Sequence, residues 1–108
     1  MGNTPYLKPL GDGVLGTTLT ALLTVAPRSR VRIKSITVAN RDSSVHSFNL
    51  YLNTSGTPRL ISSHNQKVNG GYLCEFDREY SLESGDMIQA QSDVANALEY
   101  TISGEEER

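Results

Sequence analysis

Side chains able to do nucleophilic, acid–base or metal chemistry are few in this sequence and stand far apart. His46 and His64 are the two histidines. A metal site needs several ligands in set geometry, and the two stand alone, 18 residues apart. Both read as exposed loop residues. The lone cysteine, Cys74, alternates with Tyr72 and Phe76 on an apolar strand face and reads as a small buried hydrophobe. A thiolate nucleophile would need a base or a helix N-terminus beside it, and the sequence provides neither. No Gly-x-Ser-x-Gly elbow and no phosphate-cradling glycine loop occurs. Gly85-Asp86 before a strand reads as turn chemistry, not as a carboxylate site. The expectation is a protein without enzymatic activity, metal or cofactor.

The other chemically suggestive run is Arg28, Arg30, Arg32 and Lys34. At alternate positions on a strand, these four would project from one face as a positive stripe. Such a stripe can be a solvated face that guards against wrong pairing. It can also be a contact for an acidic partner surface, including the Glu105–Glu107 tail of another copy. Nucleic acid is disfavoured, because no aromatics interleave with the charges. Ten basic against twelve acidic residues, a net charge of −2, also argues against binding by counterion release.

The elements that carry these residues read as strands. Ser, Thr, Asn and Gly make up 37 of the 108 residues, a composition of strands and turns. Thr17–Val25 alternates with period two and is broken only at Leu22. Arg30–Asn40 is the strongest strand. Its apolar parity switches between Val31/Ile33 and Ile36/Val38, which a bulge at Lys34-Ser35 would produce. Phe48, Leu50 and Leu52 alternate with polar residues. A short strand at Arg59–Ser62 and strands around Tyr72–Asp77, Met87–Gln91 and Ala97–Ser103 follow, separated by turns such as Asn69-Gly70-Gly71. Asp93–Ala97 has room for one helical turn at most.

Seven or eight short strands at this spacing indicate an all-β single domain, a β-sandwich or a small barrel. Residues 1–16, with Pro5, Pro9, Gly11, Gly13 and Gly16, read as an extended N-terminal arm. The sandwich spans 17–104, and 105–108 form a charged, frayed tail. A single cysteine excludes an intrachain disulfide framework. The apolar stretch Leu19–Val25 is too short to cross a bilayer, and no signal-peptide pattern is visible.

With the strands placed, four segments in order resemble small virion proteins of tailed bacteriophages. They are Leu15–Pro27 running into Arg32–Asn40, then Phe48–Leu52, Leu82–Ala90, and the closing Tyr100–Glu105. The likeness covers about residues 14 to 105 and rests on the order of the segments. It implies a jelly-roll-like sandwich without catalytic residues that serves as a capsid decoration (cement) protein. The alternatives are a component of the neck, tail or fibre base. The implied partners are the major capsid protein or other virion proteins, with a homo-oligomer (dimer or trimer), no membrane and no direct nucleic acid. The implied location is the virion, assembled in the bacterial host cytoplasm. Contact residues are expected on the arm, at Asn3, Pro5, Tyr6, Leu7, Lys8 and Leu10, and on the stripe, at Arg28, Arg30 and Arg32. A carbohydrate-binding module is a rival of a different class, weakened by the absence of Trp.

Overall fold

The computed structural model describes residues 8–107. They form ten strands and no helix: β1 (Lys8–Val14), β2 (Thr20–Thr24), β3 (Arg30–Asn40), β4 (His46–Thr54), β5 (Thr57–Leu60), β6 (Gln66–Val68), β7 (Leu73–Phe76), β8 (Tyr80–Leu82), β9 (Met87–Ser92) and β10 (Leu98–Glu107). Two antiparallel sheets pack face to face as a β-sandwich. One has the order β1-β10-β3, with β7 and β8 side by side along the far edge of β3. The other has the order β2-β9-β4, with β5 and β6 along the far edge of β4. One edge of each sheet is therefore split into two short strands, a device that limits strand addition by other chains, while β1 and β2 form the other edges.

Alternation explains the core. Val31, Ile33, Ile36, Val38, Leu98 and Ile102 turn inward from the first sheet and meet Phe48, Leu50, Ile88 and Ala90 from the second. Each large aliphatic side chain so buried stabilises the fold by about 1.5–3 kcal/mol relative to exposure. The parity switch in β3 is a bulge, as the sequence predicts. Partner numbering along β10 passes from Ser35 to Ile33 and leaves Lys34 as the extra residue. Gly104 lies opposite this bulge. A Cβ built there would fall 2.1 Å from the Arg32 carbonyl oxygen, so the close crossing requires glycine. The break at Leu22 is likewise a bulge, where β2 pairs with β9.

Several segments differ from the sequence expectation, the unexpected short strands β6 and β8 among them. Residues 8–14 of the expected arm form β1, paired with β10 through a bulge at Leu10. Intrinsic preference disfavours Pro9, Gly11 and Gly13 as strand residues, but pairing with a distant strand overrides it. Glu105–Glu107 of the expected frayed tail extend β10 alongside Arg32, Val31 and Arg30. Thr17–Leu19 lie outside β2, because Leu15 turns into the core and its N–H donates to the Leu98 carbonyl. Residues 93–97 bend without forming a helical turn.

Candidate interaction surfaces

The strand directions gather the connections at two ends of the sandwich. At the first end lie the β2–β3 turn, the β4–β5 hairpin, the β8–β9 turn, the start of β1 and the close of β10. The predicted contact residues within the described chain fall here, with one exception. Asn3, Pro5, Tyr6 and Leu7 lie outside the described residues. Lys8 opens β1 opposite Gly104 of β10, which lies between β1 and β3. Leu10 is the exception: as the bulged residue it packs against the core and offers little contact surface.

The basic run does not form the uniform free stripe expected of it. Arg30 lies 3.5 Å from Glu83, Arg32 3.8 Å from Glu105, and Lys34 2.9 Å from Glu79. The Lys34 hydrogen bond holds the Glu79 carboxyl below its ordinary range. The acidic partner of the stripe is thus largely the same chain, because the antiparallel register sets Glu105 opposite Arg32 and Glu107 opposite Arg30.

Arg28 is different. Ala26-Pro27-Arg28-Ser29 closes with the Ser29 N–H donating to the Ala26 carbonyl at 3.2 Å. Pro27 occupies the second position and Arg28, at φ 63°, the third, as in a type II turn, where glycine is preferred. An arginine held in the left-handed region carries backbone strain on the order of 1 kcal/mol. Its side chain is exposed and has no ion-pair partner among the described residues. Beneath it, the buried Ser29 hydroxyl has no hydrogen-bond partner.

The opposite end was not marked by sequence reasoning. Links 41–45, 69–72 and 93–97 meet here and bond to one another. Buried Asn40 is the hub. Its side-chain amide donates to the Ser44 carbonyl at 2.7 Å and to the Val68 carbonyl at 2.9 Å, and its side-chain oxygen accepts from the Asp42 N–H. Gly70 lies so close to Ser43 that a Cβ would stand 2.3 Å from its carbonyl oxygen. Around this knot Val45, Tyr72 and Leu73 are exposed, Tyr72 to 68%. Tyr72 therefore leaves the apolar face it was expected to share with Cys74 and Phe76. His46 corrects another expectation. It begins β4 with its ring only 13% exposed, hydrogen-bonded to Asp42. Asp42, four residues before it, is a short-range signal, whereas Asp93 on its other side is 47 residues away.

Burial raises the Cys74 thiol pKa, which disfavours the thiolate. Among the described residues no group of three or more His, Cys, Asp or Glu is placed to hold a metal, and no helix is long and apolar enough to cross a membrane. Between the split edges, an open groove of about 770 Å³ is lined by Ile61, Gln66, Phe76, Arg78 and Tyr80, among others. No protein-family model matches the chain, and no curated protein sequence matches it.

Proposed function

We propose that the protein is a non-enzymatic structural component of a tailed-phage virion. In its most concrete form it is a decoration (cement) protein that bridges major capsid subunits. The observation that carries this reading is Arg28. An unpaired, exposed cation is kept in a backbone conformation that favours glycine, at the end where β1 begins. Strain retained at an exposed turn points to a use for the side chain, and a carboxylate on a partner protein suits a guanidinium fork. The four resembling segments support the same assignment, as they supply the framework strands β2, β3, β4, β9 and β10.

The strand order also supports the finer jelly-roll reading. If β5 with β6 and β7 with β8 each count as one interrupted strand, the two sheets read 1-8-3-6 and 2-7-4-5 in chain order, the alternation of two interlocked Greek keys. A rigid plate of this kind loses little entropy when its faces are covered. Labelling the protein and imaging purified particles tests the proposal. Copies spread over the whole shell support the cement role, and copies confined to one vertex move it to the neck or tail. Absence from particles overturns the virion assignment.

One feature favours a second reading, sugar binding. On the face of β4 and β9 turned away from the core, Tyr51, Gln89 and Gln91 are half-buried beside the buried Asn49 and Asn53, and Asn53 donates to Gln89 at 2.8 Å. Such a surface offers paired donors and acceptors beside an aromatic ring. Binding on a glycan array, lost in Tyr51→Ala, would establish it.

A further inference from the structure

His46 has the inward parity of Phe48 and Leu50 on β4 and sits at the mouth of the sandwich. Its Nε2 lies 2.8 Å from the Asp42 carboxylate in the link between β3 and β4, and its Nδ1 lies 3.4 Å from the Asp93 carboxylate in the link between β9 and β10. We propose that His46 is a proton-operated latch, which ties these two links together when its ring is charged and lets go of Asp93 when it is neutral. This holds whether or not the virion assignment does.

The chemistry follows from the donor inventory. An imidazolium has two N–H donors and satisfies both carboxylates. Neutral imidazole keeps one, and the shorter contact to Asp42 retains it. The second ring nitrogen then turns a lone pair toward Asp93, so two acceptors face each other and the contact opens. The charged groups near the ring are Asp42 and Asp93 from the two links. Arg41 is engaged by Glu99 of β10 at 3.2 Å, and β6 presents Val68 opposite His46, with Lys67 exposed beside it. The 93–97 link keeps its backbone bonds, from the Asp93 N–H to the Ser47 carbonyl and from the Asn96 N–H to the Leu15 carbonyl, so opening loosens the link without unfolding it.

The geometry sets the pH window. The hydrogen bond to Asp42 holds His46 above its ordinary value of 6.5, and the same bond holds Asp42 below its ordinary 3.8. A raised histidine contributes fully below 6.5, and its contribution is lost as pH rises through the raised midpoint. A lowered aspartate contributes above 3.8, and its contribution is lost as pH falls through the lowered midpoint. The latch therefore opens on the alkaline side, as pH rises through the raised His46 midpoint.

Imidazole ¹⁵N NMR on the full chain, with amide exchange of residues 93–97 corrected for the intrinsic rate, tests it across the histidine range. The expected result is a His46 midpoint above 6.5. Protection of residues 93–97 should fall about two- to fivefold through that same midpoint, the scale of one exposed ionic contact. Asp93→Asn, which leaves the ring in place, should lower the midpoint and make protection independent of pH. His46→Gln should remove the transition, and if that variant fails to fold, Asp93→Asn decides alone. A midpoint at or below 6.5, a wild-type profile flat with pH, or an unchanged transition in Asp93→Asn overturns the latch.

Discussion

The two ends of the sandwich join their strands by different kinds of connection. At the end carrying Arg28 the connections are short; each turn has a bond of its own, and Gly85 and Ser84 also donate to the Val25 and Ala26 carbonyls. The Arg28 turn, the two-residue Ser55-Gly56 hairpin and the turn ending at Gly85 all use positive φ. At the His46 end the connections are longer and each is completed by another, through Asn40, the Gly70–Ser43 contact and the His46 bridges. Local closure stores strain and leaves side chains free. Mutual closure removes freedom and leaves apolar residues such as Val45 and Tyr72 on an ordered surface. The first arrangement suits a gripping contact, and the second suits a surface whose order can be tuned.

Substitutions can break this contrast, and the largest effects belong to close backbone crossings. Gly104→Ala forces a methyl against the Arg32 carbonyl and should destabilise by about 3 kcal/mol or more, read by chemical denaturation, as the bulge cannot give way without moving β3. A change below about 0.5 kcal/mol would mean that the bulge is not needed. Next is Asn40→Ala, which orphans the buried Val68 carbonyl together with the Asp42 N–H. A loss of about 2–3 kcal/mol is expected, with faster amide exchange in both 41–45 and 69–72. If exchange rises in one link alone, the connections of that end are not mutually closed.

At the other end the expected sign reverses. Arg28→Gly relieves the left-handed backbone and should stabilise by about 0.5–1 kcal/mol while weakening attachment to particles. Stabilisation with unchanged attachment would strip Arg28 of its proposed role. Ser29→Ala deletes a buried hydroxyl without a partner. It should be neutral or stabilise by up to about 1 kcal/mol, because no hydrogen bond is lost. A clear destabilisation would show that the hydroxyl is satisfied in solution.

Legibility followed the range of the interactions. The bulge at Lys34 was visible as a parity switch within one strand, and Leu22 as a single break in alternation, because both are written in adjacent residues. β1 was not visible. Pro9, Gly11 and Gly13 look like a linker until β10, some ninety residues later, supplies their hydrogen bonds. The acidic tail carried a hint, since Glu105 and Glu107 have the spacing of Arg30 and Arg32. That match acquires meaning only once β3 and β10 are known to be antiparallel neighbours. His46 read as a loop residue, although its parity with Phe48 and Leu50 could have extended the strand to it.

By itself, then, the sequence determined the all-β class, the inward faces of the long strands and the absence of a local catalytic motif. Those properties rest on side-chain alternation and residue type, which act over a few positions. The tertiary structure alone decided which carboxylate neutralises which cation, that Arg28 is left over, and that Asp42 and Asp93 flank His46. Those outcomes depend on strand register, which is selected by the packing of both sheets at once, so no short stretch of chain contains them.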